Sequence, residues 1–260
     1  MNRQMRAWFI PQRETWLFQV NPAAKFVLLV ITLLILFFQR NLPFTWMMIG
    51  CYGLLLIIFS GFKLRRLLLF MIPITISALS SSLGLLLFGR GQNVLWQWGL
   101  IKISEESIRS AQILGSKAVV IGMISLLLLL TTSPVLLFYS FMQQLRFPAK
   151  YMYSAMAALR MIPIIIEEFQ VRARALKVRR VTYARGIKGL FHRIKLYSVP
   201  LVAQSIRRAQ RIAVAMEAKQ FQFQRDRTYY YPTSYSRYDL YFLAYVMISL
   251  LVAGSISIAA

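Results

Sequence analysis

Side chains able to do chemistry are few and scattered in this 260-residue chain. His192 is the only histidine, and it sits among Lys188, Arg193 and Lys195. A metal site needs several His, Cys or acidic ligands close together, and none cluster there, so His192 reads as a solvated surface residue. Cys51, the only cysteine, lies inside an apolar run. It can form no intrachain disulfide, has no ligand spacing, and reads as a packed small hydrophobe. Glu105-Glu106 lacks a partner and reads as solvated charge near a helix start. Glu167-Glu168 precedes Arg172 and Arg174, a spacing suited to local ion pairs on one helix. No GxxxxGK[ST] run is present, so the chain binds no ATP through a P-loop of its own. No catalytic residue, no metal site and no cofactor is expected.

The cluster that demands explanation is basic: Arg172, Arg174, Lys177, Arg179, Arg180 and Arg185. A voltage sensor would place arginines at every third position within a span; here the spacing is irregular and the surroundings are polar. A polybasic helix lying on anionic lipid, and a helix docking into an acidic protein groove, both fit. Charge alone does not separate these two.

The elements that carry these residues follow from composition. The chain is 58% hydrophobic, with 31 basic against 8 acidic residues and a net charge of +23. Apolar bulk with a basic excess points to membrane spans flanked by Lys and Arg. A polycation for nucleic acid leaves the long apolar runs unexplained, so no nucleic-acid partner is expected. Spans are expected at about Ala23–Phe38, Leu42–Ser60, Leu67–Phe88, Ala111–Thr131 and Tyr238–Ala260, with Gly89–Arg109 a polar loop. Met1–Val20 lacks the apolar core and cleavage site of a signal peptide and is expected to be retained at the cytoplasmic surface.

Tyr151–Ile166 is apolar too, but it is short and contains Arg160 and Pro163, and a charge at mid-membrane is costly. Parity decides further. With the N-terminus cytoplasmic, a span at Tyr151–Ile166 would put Arg172–Arg227 outside, against the positive-inside rule. Left on the surface, it keeps Ser133–Arg237 inside, with 19 of the 31 basic residues against Glu167, Glu168, Glu217 and Asp226. The fold expected is all-α: a polytopic membrane protein with about five spans and about three cytoplasmic helices. Its parts are residues 1–132 (tail and four spans), 133–237 (cytoplasmic domain) and 238–260 (last span).

Ser133-Pro134 opens a short apolar helix as N-cap and N1, and Phe147-Pro148 ends it. A long helix is expected from about Ala149 to Arg185, with Gly186 and Gly189 as terminators. A third is expected from near Pro200 to about Phe221. On it Gln204, Arg207, Arg208 and Arg211 form a polar stripe, and Ala203, Ala209, Ala213, Ala215 and Ala218 permit close helix contact.

Particular motifs then carry a resemblance. They are Val199-Pro200-Leu201, Arg207-Arg208-Ala209 and Ala213-Val214-Ala215-Met216-Glu217-Ala218-Lys219-Gln220-Phe221, with Leu159-Arg160-Met161-Ile162-Pro163 before Glu167-Glu168. Thr131-Thr132-Ser133-Pro134 and Asn21-Pro22 followed by Lys25 also fit. The chain resembles the transmembrane coupling (T) component of energy-coupling factor transporters, in the cobalt/vitamin-type permease family. The resemblance implies a bacterial cell-membrane protein, multi-pass with a cytoplasmic N-terminus, that does no chemistry itself. It implies as partners two ATP-binding cassette ATPase subunits (or one homodimer), a small substrate-binding membrane subunit and the bilayer. The cargo implied is a vitamin, vitamin precursor or metal ion.

The family carries two short signatures, each an arginine flanked by small residues, that dock into ATPase grooves. Where the second should read Ala-Arg-Gly, this chain has Ala218-Lys219-Gln220; lysine keeps the charge and loses the bidentate fork. For the first, Ala184-Arg185-Gly186 is the literal match, and Val178-Arg179-Arg180 better fits the spacing from Glu167-Glu168 and to Lys219. The docking set implied is Arg179 and Lys219, with Arg185, Arg180, Glu217, Arg207 and Arg208. The rival function is a stand-alone membrane scaffold that binds anionic lipid through its basic helices.

Overall fold

The computed structural model describes residues 13, 15–89, 93–98, 101–181, 186–221, 229 and 231–259. Two compact units divide the chain: residues 9–140 with 231–260, and the stretch 141–230.

The larger unit begins with a single turn, α1 (Trp16–Gln19). It continues through α2 (Pro22–Phe38), α3 (Leu42–Phe59) and α4 (Leu64–Phe88). A hairpin of β1 (Val94–Trp98) and β2 (Ile101–Ser104) leads to α5 (Glu105–Thr131). The unit is completed by the first part of α6 (Pro134–Gln143) and by α9 (Arg237–Ala259). α3, α4, α5 and residues Arg237–Ser257 of α9 are long and apolar enough to cross a membrane. α2 has 17 residues, or about 25 Å of helix, just under a hydrocarbon core of about 30 Å. It packs against α5 and α9 as a shorter apolar helix beside the four longer ones. The protein is an all-α polytopic membrane protein with one small hairpin.

Local chemistry sets these boundaries. Pro22 and Pro43 lie in the first turns of α2 and α3, where a missing N–H costs nothing. Asn21 caps α2 by accepting the Ala23 N–H at 3.0 Å. α5 starts earlier than hydropathy alone suggests. A reciprocal box between Ser104 and Ser107 caps it at Glu105, adding a polar turn ahead of the apolar run. The expected polar loop is replaced in part by the antiparallel β1–β2 pair, whose short strands hydropathy does not register.

The core of this unit is centred on Tyr52, Leu29, Leu36, Met48, Leu55, Ile124, Leu127 and Phe242, all essentially inaccessible. Its polar atoms are paired, as an apolar surround demands. Tyr52 donates to Thr32 Oγ1 at 3.2 Å, and Thr45 and Ser116 share a bond at 2.9 Å. α4 and α5 approach closely at Gly122, where an added Cβ would lie 2.2 Å from Ile74 Cγ2. Cys51 is a free thiol whose carbonyl accepts from Tyr245 Oη at 2.7 Å.

The second unit holds the end of α6, then α7 (Ala149–Val178) and α8 (Ile187–Ala218). α7 is not among the helices apolar enough to span. Two expectations are corrected. The helix expected to reach Arg185 ends at Val178, and the one expected to start near Pro200 starts at Ile187. The first change arises because Arg180 turns into the left-handed region, φ +51°. The second arises because Gly186, φ +89°, starts a helix instead of ending one. Pro200 then sits inside α8, as Pro163 does inside α7, each removing one helix donor.

Candidate functional site

α7 and α8 pair in reverse order. Tyr153 meets Phe221 with ring centres 5.2 Å apart, and Phe169 meets Tyr197 at 5.0 Å. Between these contacts lies a polar lock: the Arg208 guanidinium pairs with Glu168 Oε1, and Gln204 Nε2 donates to the same oxygen at 2.9 Å. Both members of the ion pair are mostly buried. The expectation that Glu167-Glu168 pairs locally is therefore corrected for Glu168, whose partner is on the other helix. The polar stripe on α8 contributes Gln204 and Arg208 to the lock, while Arg207 and Arg211 are exposed.

Beyond the lock, the two helices end in the same way. At the end of α7, Arg179 is the C-cap and Arg180 follows at φ +51°. The Arg180 N–H bonds to Lys177 O at 3.1 Å and the Val181 N–H to Leu176 O at 3.3 Å. At the end of α8, Lys219 is the C-cap and Gln220 follows at φ +52°. The Gln220 N–H bonds to Glu217 O at 2.8 Å and the Phe221 N–H to Met216 O at 2.9 Å. Both are Schellman closures, a three-residue and a five-residue return that use up the orphan carbonyls. Each places an exposed basic C-cap residue at the C-terminal, negative end of its helix dipole, with Lys177 and Arg180 exposed beside Arg179 at the end of α7. Arg179 lies eleven residues past Glu168, and Lys219 eleven past Arg208, each about 16 Å along its helix.

Both closures fall on the three-residue stretches that the resemblance singles out. The third position is the left-handed C′ residue, which glycine adopts without strain; Arg180 and Gln220 occupy it here. By conformation, Val178-Arg179-Arg180 matches Ala218-Lys219-Gln220. Arg185 lies outside the described residues, and Gly186 after it precedes the first turn of α8, where the Leu190 N–H bonds to its carbonyl at 3.1 Å. Glu217 is exposed two residues before Lys219. The left-handed positions carried no glycine to betray them, so sequence reasoning missed the closures themselves.

The unit has little core of its own. Met142 and Leu176 are its buried apolar residues among those described, whereas Val178, Phe191, Val214 and Ile187 are exposed, Val178 at 83%. A groove of about 340 Å³ between α7 and α8 is lined by Tyr153, Ala157, Met161, Ala209, Ile212 and Met216. A more polar cleft of about 520 Å³ is lined by Glu167, Glu168, Arg172 and Arg179 with Gln204. Exposed apolar surface on this scale marks an interaction surface. Among the described residues no three His, Cys, Asp or Glu side chains converge as a metal site would need.

A family model described as cobalt transport protein, CbiQ, matches residues 13–230. The chain is 28% identical over 256 residues to the energy-coupling factor transporter transmembrane protein EcfT of Limosilactobacillus fermentum, covering 92% of each chain. It is 28% identical over 225 residues to EcfT of Streptococcus thermophilus, covering 84% of this chain and 85% of that one. With EcfT of Streptococcus equi subsp. equi it shares 27% over 258 residues, covering 95% and 94%.

Proposed function

The chain belongs to the CbiQ family of cobalt transport proteins, and on that premise we propose that it is the coupling subunit of an energy-coupling factor importer. In this reading α7 and α8 lie on the cytoplasmic side with the N-terminus. Their basic ends seat in grooves of two ATPase subunits, and their apolar groove receives a separate substrate-binding membrane subunit. ATP binding and hydrolysis move the ATPase grooves; the seated ends follow, and the substrate-binding subunit is tipped so that it loads outside and releases inside. The cargo is a vitamin, a vitamin precursor or a metal ion, and this chain does no covalent chemistry on it.

The observation that carries the reading is the pair of matching helix ends, each with an exposed cation at its C-cap held by a Schellman closure. Two basic tips with the same closure suit two alike protein grooves. A lipid-binding surface would instead spread its charges over one face, since each cation gains about 1 kcal/mol independently near an anionic leaflet. The lock at Glu168–Arg208 supports the reading further, because it ties the two tips into one lever.

Pull-down of the tagged full-length chain from native membranes tests this. Recovery of ATP-binding cassette ATPases together with a small membrane protein is the expected result. A chain that arrives alone, yet binds vesicles rich in anionic lipid, would favour the scaffold function instead.

A further inference from the structure

Two sequence motifs are left unused by the coupling reading: Asn21-Pro22 with Lys25, and Thr131-Thr132-Ser133-Pro134. The larger unit brings them together, and joins to them a third element, the start of α9.

Lys25 is 1% exposed, one turn into α2. Its Nζ donates to Leu17 O at 2.8 Å, to Thr131 Oγ1 at 3.1 Å, to Thr131 O at 3.3 Å and to Thr132 Oγ1 at 3.4 Å. An ammonium has three protons, so four acceptors more than fill it. Thr131 donates its own hydroxyl proton to Leu127 O at 2.7 Å, which leaves its oxygen lone pairs for Lys25. The Thr131 carbonyl is one of the orphan acceptors at the C-terminal end of α5, where the dipole favours a cation.

Asp239, also buried, lies in the first turn of α9. Its Oδ1 accepts the Asn21 N–H at 2.6 Å and its Oδ2 the Ser236 N–H at 2.7 Å. Asn21 completes the set, with its Nδ2 donating to Ser234 O at 3.3 Å. One short stretch, Leu17 to Lys25, therefore holds both the end of α5 and the start of α9.

Those two places have a common property. The second unit is joined to the first through the stretch after α5, and returns to it through the stretch before α9. A buried charge is costly unless paired, and a bundle that needed only packing would place an apolar residue at position 25. We propose that Lys25 and Asp239 are positioning residues for transport. They clamp the chain leading toward the second unit and the chain returning from it to one short stretch, so that a pull on either moves α2, α5 and α9 together. This rests on the coupling function above.

The test uses the full-length chain in the complex that wild type brings down. Lys25→Met keeps the length and removes the donors. The clamp predicts normal ATPase recovery and ATP hydrolysis, with uptake per assembled complex lowered about tenfold, the scale of a lost coupling term. Thr132→Val removes a single, long contact and should lower uptake by less; Asp239→Asn frees the other junction and should lower it as Lys25→Met does. If Lys25→Met does not accumulate, Thr132→Val and Asp239→Asn decide on the same readout. Uptake that falls only in proportion to the amount of complex, or does not fall, overturns the clamp. A wild-type chain that recovers no ATPase overturns the coupling reading itself, which is a separate result.

Discussion

Arg180 and Gln220 adopt the same left-handed backbone conformation, φ +51° and +52°, each one residue past a helix whose C-cap is basic. The two sites are forty residues apart in sequence and have no side chain in common. What they share is a closure that stops the helix and leaves a cation, Arg179 or Lys219, at its C-cap.

A non-glycine residue in this conformation carries a strain of about 1–2 kcal/mol. Gln220→Gly should therefore raise the stability of the detergent-purified chain by about 1 kcal/mol while leaving Lys219 in place. Thermal unfolding would register the gain. Gln220→Val, β-branched, should lower stability, since φ > 0 is a genuine outlier for such residues. A variant pair with no opposite shifts would mean that the α8 closure does not form.

Lys219 offers a point charge where a guanidinium would offer a planar fork. Lys219→Arg should tighten ATPase association by about 1 kcal/mol, the difference a bidentate charged contact can make. Washing the immobilised complex with rising salt measures this, because screening weakens an exposed ionic contact first. The arginine variant should retain its ATPases at salt that strips wild type.

Truncating Arg208 leaves the Glu168 carboxylate mostly buried with only Gln204 as partner. Arg208→Met should cost about 2 kcal/mol, the range for a hydrogen bond to a charged group. Adding Glu168→Gln should recover part of the loss, because the uncompensated charge goes with it. A double-variant cycle on unfolding free energies gives the coupling directly; additive losses would mean that the pair is not formed.

At the α4–α5 contact, Gly122→Ala places a methyl 2.2 Å from Ile74 Cγ2. Such overpacking typically costs 1–3 kcal/mol, so a loss of about 2 kcal/mol is expected. Ile74→Ala in the same chain should restore most of it, while Ile74→Ala alone should be destabilising. Thermal stability of the three variants in one detergent decides the matter.

The apolar runs betray the spans in the sequence because the bilayer demands length and hydropathy together, and α7, which carries Arg160 and Pro163, is not among the helices apolar enough to span. Hydropathy does not register the short β1–β2 hairpin, nor the Ser104–Ser107 box that starts α5 a turn early. Pro200 misleads: at a helix start proline is favoured, yet inside α8 it is tolerated, and local sequence does not distinguish the two. Gly186 misleads in the opposite sense, as its positive φ serves to begin a helix. Arg179 and Lys219 were legible as basic residues at matching spacing, and their shared closure was not, because neither left-handed residue is a glycine. Cross-helix partners such as Glu168 with Arg208, or Lys25 with Thr131, depend on tertiary packing, and periodicity within one helix carries no record of them.

The most direct test of the central claim reverses both tips at once. In Arg179→Glu with Lys219→Glu, two exposed cations become anions, a change that leaves the α7–α8 lock and the larger unit untouched. The coupling function predicts that the variant chain accumulates in membranes as wild type does, loses its ATPases on pull-down, and supports no uptake. Normal ATPase recovery with normal uptake in that variant would contradict it.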